Sequence, residues 1–274
     1  MKNLTFFFSF FLTFNLTLFA QIERCGKDIK LQERLKENPE LANIIDLQNK
    51  QIANYTVNNK ARAVITIPVV VHVVYNTSSQ NVSDAQIYSQ INVLNEDYRR
   101  LNSDAVNTPS VFSGVDTEIE FCLATSEPNG NPTTGITRTS TTYNEIGNTT
   151  RYYSTARGGK DIWNRDNYLN IWVCDLGPLY LGFAYAPNTA PSSYDGLVID
   201  PRYFGTIGSA QAPYNKGRTA THEIGHWFNL EHLWGAGFGG CFSTDYVSDT
   251  PTQFEENYGC LNHPSPSCNN NGDM

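Results

Sequence analysis

Positive charge is the first thing in short supply. The 274 residues hold 19 Lys and Arg against 27 Asp and Glu, a formal net charge of −8. That deficit argues against a nucleic-acid partner and leaves no polybasic patch for a membrane surface. Long apolar runs are scarce too. Past residue 20 no stretch is apolar enough to span a bilayer. No cysteine stands at the junction of Ala20 and Gln21, so a lipid anchor there is not indicated. Histidine is rare, with five in the whole chain. Apolar content is not lacking: 40% hydrophobic and 12% aromatic residues exclude a disordered chain. The length admits one sizeable domain and a short extra segment.

The few histidines are not scattered. Three fall in one stretch, His222-Glu223-Ile224-Gly225-His226-Trp227-Phe228-Asn229-Leu230-Glu231-His232. It reads H-E-x-x-H with a third His six residues on. On a helix, positions i and i+4 lie about 40° apart around the axis and about 6 Å apart along it. His222 and His226 then face the same way, which suits two imidazoles on one Zn²⁺. Glu223 lies beside them, placed to act on a metal-bound water rather than as a third ligand. A straight helix would carry His232 past the metal. Asn229 tolerates the left-handed conformation that ends helices, so a chain that turns back there returns His232 to the same ion. Three imidazoles and one open position make a catalytic zinc geometry rather than a closed structural one. H-E-x-x-H alone also arises by chance, and the clustering of the third His behind a turn-forming residue weighs against chance.

The stretch resembles the metzincin signature H-E-x-x-H-x-x-G-x-x-H, with Asn229 where Gly is commoner. Trp227, the preceding Gly217-Arg218-Thr219-Ala220-Thr221 and the later Asp245-Tyr246-Val247-Ser248-Asp249-Thr250-Pro251 resemble the pappalysin family of secreted metzincin proteases, in its cytophagalysin-like branch. The resemblance runs from about Ile67 to the last residue. It implies a secreted zinc endopeptidase acting on protein or peptide substrates, with zinc on His222, His226 and His232 and Glu223 as general base. It also implies Ca²⁺ near Asp245, Asp249 and Thr252, since paired aspartates suit an oxygen-seeking ion; a solvated acidic loop is the alternative. Six cysteines in an exported chain predict disulfides, whose connectivity does not follow from sequence. The resemblance implies Cys241–Cys268, with Cys260 left to pair beyond the end of this chain. A segment within residues 179–187 is implied as the edge strand that pairs with extended substrate. The family's Met-turn is expected beyond the final residues, so the domain reads as cut short before it, and Met274 is not given that role. The rival reading is a secreted zinc-binding interaction domain without catalysis, against which stands the intact Glu223. Oligomeric state and natural substrate are not set by the sequence.

The chain before Ile67 divides in two. Met1 to Ala20 carries Lys2, a Phe- and Leu-rich run and Leu18-Phe19-Ala20, which predicts a secretory signal peptide over residues 1–20. A membrane anchor is the alternative, but the run is short and broken by Asn15. Residues 21–62 are more charged and predict a pro-segment and linker. Leu31, Leu35 and Leu41 give a helical pattern from Lys30 to Leu41. Lys60 and Arg62 are candidate processing points in a polar linker. Cys25 follows Arg24, and a thiolate is a good zinc ligand. The resemblance implies that Cys25 fills the open fourth position and keeps the enzyme latent; a disulfide or an idle thiol is the alternative.

Residues 63–274 predict the catalytic domain. Ile65 to Tyr75 is a β-branched run expected as a buried strand, with His72 a core histidine. Ser83-Asp84-Ala85-Gln86 predicts a capping box opening a long helix with Ile87, Ile91, Leu94 and Tyr98 on one side. Further strands are expected at Ile119–Ala124, Ile136–Thr142, Tyr168–Cys174, Leu181–Ala186 and Gly196–Asp200, and the zinc helix at Arg218–Asn229. The fold class is α+β, a mixed twisted sheet with two main helices.

Overall fold

The computed structural model describes residues 23–55, 63–108, 114–235, 239–247, 250–259 and 265–269. The expected signal peptide, Lys60, Arg62, Asp249, Cys260, His263 and Met274 lie outside these residues.

The sheet is built on β2, Ile65–Tyr75, an eleven-residue strand. Its first half pairs in parallel with β3 (Ile119–Leu123) and its second half with β4 (Ile136–Ser140). On its other side lies β5, Leu169–Cys174, then β7, Leu197–Ile199, both parallel. β6, Tyr180–Ala184, joins β7 antiparallel, and β1, Glu23–Cys25, joins β6 in parallel at the edge. The sheet order is therefore β1-β6-β7-β5-β2-β3, with β4 beside β2.

Parallel strands covered on both faces should read as near-continuous apolar runs, and the buried half of β2 from Val69 and all of β5 do, with His72 and Asn170 as the polar exceptions. Every residue of β5 is buried. Alternation along the pleat then sorts the side chains. Val69, Val71, Val73, Ile171, Val173, Leu197 and Ile199 point to one face, where α3 (Asp84–Tyr98) and α4 (Arg218–Trp227) bury Ile87, Leu94, Ala220 and Ile224 against them. Trp172, Cys174, Phe183 and Val198 point to the other face, covered by Ile146 and Tyr152 from the irregular segment after β4.

His72 is fully buried, as expected of a core histidine. Its Nε2 lies 3.0 Å from Asn170 Oδ1 and its Nδ1 2.8 Å from Thr137 Oγ1. Burial lowers its pKa to about 4. Ser83 caps α3 by accepting from Gln86 N. The reciprocal half of the expected capping box is not formed. The Gln86 amide instead donates to the Pro201 and Phe204 carbonyls and holds the loop after β7.

The expected Lys30–Leu41 helix is two helices. α1 is Lys27–Glu37 and α2 is Leu41–Ala53. Asn38 between them is extended (φ −141°, ψ 90°). Pro39 disfavours helical geometry at the residue before it, which stops α1 there. Among the described residues no helix is long and apolar enough to cross a membrane.

Candidate metal centre and active site

α4 opens at Gly217, whose φ of 73° is left-handed. Its first turns are tied to the end of α3. Arg218 pairs with Asp97 (2.7 Å) and Asp104 (2.9 Å), Thr221 Oγ1 donates to Asp97 (2.7 Å), and Tyr98 OH donates to the Thr221 carbonyl (3.1 Å). Ala220 and Ile224, four residues apart, go into the core. The same spacing puts His222 and His226 together on the opposite side.

The helix ends as Asn229 predicts. Its φ is 72°. Asn229 N donates to the His226 carbonyl (2.8 Å) and Leu230 N to the Gly225 carbonyl (2.9 Å), the two bonds of a Schellman motif. The reversal brings His232 back beside α4. His226 Nε2 lies 3.0 Å from His222 Nε2 and 3.1 Å from His232 Nε2. With Cys25 Sγ, the ligand atoms all lie within 4.8 Å of one another. The sequence-predicted His222, His226, His232, Glu223 and Cys25 are thus brought together.

The donor set fits a zinc ion. His226 Nδ1 donates to the Leu230 carbonyl at 2.7 Å, and His232 Nδ1 to Asp28 Oδ2 at 3.2 Å. With the proton on Nδ1, each ring turns an Nε2 lone pair toward the common point, an arrangement that repels itself unless a cation sits there. Tetrahedral zinc with bonds near 2.0–2.1 Å would set ligand nitrogens about 3.3 Å apart, close to what is found. Glu223 is fully buried, and its Oε1 is buried with no hydrogen-bond partner in the protein. Its Oε2 faces Cys25 Sγ at 3.6 Å. Burial pushes the Glu223 carboxyl up to about 8, opposed by Cys25 and the Lys27 ammonium. Burial, and then Glu223, push the Cys25 thiol well up.

β1 holds Cys25 in place by lying along β6. Gly26 N donates to the Gly182 carbonyl (2.9 Å), so the expected edge strand within 179–187 is present and already paired. Beside it, Arg24, Tyr214, Arg218 and Trp234 contribute to the walls of a cleft of about 320 Å³ that reaches His222, Glu223 and His232. Trp234 stacks on His232 with ring centroids 4.3 Å apart.

Relatives decide the family. In solved structures, this chain is similar to mature mirolysin of Tannerella forsythia in complex with a cleaved peptide, at 50% identity over 78% of this chain and 82% of that one, TM-score 0.72. The peptidase M43 family model, described as pregnancy-associated plasma protein-A, matches residues 154–272. This chain belongs to that family, the pappalysins. A promirolysin mutant from the same organism aligns at 46% identity over 92% of this chain and 84% of that one, TM-score 0.80. The mixed sheet with few helices is the mirolysin fold. An extracellular metalloprotease of Arthroderma otae is 30% identical over 72% of this chain, and this pappalysin spans 63% of that relative's length.

Not every predicted residue joins the site. Asp245 uses its carboxylate within its own loop, accepting from Val247 N and Thr250 Oγ1. Among the described residues the only group of three or more metal-ligating side chains is the histidine and Cys25 cluster. Cys241 and Cys268 are bonded as the resemblance implied, and Cys25, Cys122 and Cys174 are free thiols. Sequence reading missed Lys27, Asp28 and Glu231. Lys27 Nζ donates to Glu231 Oε2, both side chains nearly sealed from solvent. The available signal was adjacency: Lys27-Asp28 follow Cys25-Gly26 directly, and Glu231 precedes the third histidine.

Proposed function

We propose that this chain is a secreted zinc endopeptidase held in its latent form. The observation that carries the reading is the convergence of three Nε2 atoms beside a buried carboxylate. The names of the curated relatives support export, and the mirolysin structure with a cleaved peptide supports protein or peptide substrates. His222, His226 and His232 hold the metal. When bound, zinc supplies a Lewis acid at the point where these nitrogens meet.

The rest belongs to the chain. Glu223 takes a proton from the attacking water and passes it to the leaving amine. Its carboxylate keeps one oxygen without a protein partner, which leaves it able to take that proton and return it. β6 offers main-chain hydrogen-bonding groups to an extended substrate, along the edge that β1 now covers. Residues 1–20 direct export, residues 21–62 form the pro-segment and linker, and residues 63–274 carry the catalytic machinery. Cys25 occupies the fourth ligand position, and its removal with the pro-segment opens the site.

The test is cleavage of casein and a mixed peptide library by the processed protein, with and without a zinc chelator. Glu223→Ala is expected to keep zinc and lose cleavage by several orders of magnitude. Equal activity in that variant ends the proposal. Zinc binding with no cleavage by the wild-type chain would favour an interaction domain instead.

A further inference from the structure

The pro-segment reaches the metal centre at more than Cys25. Lys27 and Asp28 open α1, and they face the adjacent pair Glu231 and His232. Asp28 Oδ2 accepts from His232 Nδ1 at 3.2 Å. Lys27 donates to Glu231 and lies 3.7 Å from Asp28 Oδ1. The Lys27, Glu231 and His232 side chains are all at least nine-tenths buried. The four groups run Glu231, Lys27, Asp28, His232, so each charge sits against an opposite charge or a donor.

A ligating imidazole binds best when its other nitrogen donates to a carboxylate or carbonyl. That bond fixes the tautomer and the ring orientation and makes the ligand more basic. For His226 the acceptor is the Leu230 carbonyl, which belongs to the catalytic domain and stays with it. For His232 the acceptor is Asp28, which belongs to the segment that leaves. We infer that Asp28 is a positioning residue for His232, and that the pro-segment thereby makes the latent chain hold its metal more tightly than the processed enzyme does. The inference rests on the zinc reading given above. It assigns the pro-segment a second task, retention of the metal, carried by a residue other than the thiol.

The experiment uses the full secreted chain carrying Glu223→Ala, which keeps the pro-segment uncut. The readout is the rate at which zinc passes to a chromogenic chelator. Asp28→Asn keeps the shape and removes the charge, and it is expected to release zinc roughly 10–100 times faster. Asp28→Glu restores a carboxylate and should fall closer to the parent. The cobalt-loaded Asp28→Asn chain should keep its thiolate charge-transfer band, showing Cys25 still in place. The same acceleration should recur when Asp28→Asn is added to Cys25→Ser. A chain cleaved after the pro-segment and freed of it should release zinc faster than the full-length Cys25→Ser chain.

Release within twofold of the parent in Asp28→Asn overturns the inference. So does an acceleration that vanishes in the Cys25→Ser chain, because Asp28 would then act only by docking the thiol. His222→Ala separates the two levels. If it retains zinc as well as the parent, the three-histidine site itself is wrong and the inference falls with it. If it loses zinc while Asp28→Asn does not, the site stands and Asp28 alone is refuted.

Discussion

Lys27→Met would remove the cation from an ion pair sealed between α1 and the loop after α4. The Lys27 side chain is 2% exposed and that of Glu231 5%. Taking one partner from a buried pair costs about 3–5 kcal/mol, because the charge left behind has neither water nor counter-ion. Glu231 can recover water if α1 lifts away. The cost therefore falls on docking of the N-terminal segment that carries α1 and not on the core around the sheet. At about 1.4 kcal/mol per factor of ten, that loss multiplies the undocked population by roughly 10² to 4 × 10³. Alkylation of Cys25 in the intact chain reads this population directly. Docked, Cys25 is 8% exposed and its sulfur faces the three histidines, so it reacts only on opening. The exposed Cys122 serves as an internal reference whose rate should not change. Lys27→Met should speed modification of Cys25 by roughly 10²- to 4 × 10³-fold. The pair Lys27→Met with Glu231→Leu should recover most of the protection, since replacing both charges by apolar groups leaves nothing unpaired. An acceleration below threefold in the single variant, or a double variant no better protected than the single, refutes the argument that this pair clamps α1 against the loop after α4.

Two further outcomes concern the scaffold. The folded pKa of His72 is lowered to about 4 against an ordinary 6.5, so the unfolded chain takes the proton first. Its contribution is therefore full above pH 6.5 and is lost as pH falls from there toward 4, by about 3 kcal/mol in all. Urea midpoints measured across that range should fall more steeply for the wild type than for His72→Asn, and parallel curves would count against the assignment. Ile224→Ala empties a fully buried position on the core side of α4 and should lower the unfolding free energy by about 2–5 kcal/mol. A loss under 1 kcal/mol by denaturant titration would mean that α4 is not seated as described.

What the sequence made legible was local. The spacing of His222 and His226 is a statement about one helix turn, and Asn229 needs only its own left-handed φ to end that helix. The β-branched run of β2 declares a buried strand without knowledge of its neighbours. Each of these elements was found within a residue or two of its observed ends. The capping box was half right for an instructive reason. Ser83 acts on its own turn, whereas Gln86 is claimed by carbonyls more than a hundred residues away. Asn38-Pro39 carried a local break in the N-terminal helical pattern, and the Leu31, Leu35, Leu41 spacing masked it.

What stayed hidden depends on contacts between distant segments. The sequence marks Leu181–Ala186 as a strand, but nothing in it says that residues 23–25 form another and pair with residues 180–182. Two glycines show why such contacts leave little trace. A Cβ on Gly182 would fall 2.8 Å from Ile199 Cδ1, 3.0 Å from the Val198 carbonyl and 3.2 Å from Glu223 Cγ, so β6 comes this close to the Glu223 side chain only because this residue has none. A Cβ on Gly26 would fall 3.0 Å from the Tyr180 ring, so the N-terminal segment reaches β6 for the same reason. Both glycines permit a close approach by what they lack, and a sequence shows the residue without showing what comes near it. The histidines advertise themselves because metal binding demands particular atoms. The elements that place Glu223, Cys25 and Asp28 around them are specified by fit, which becomes visible only when the two ends of the chain are folded together.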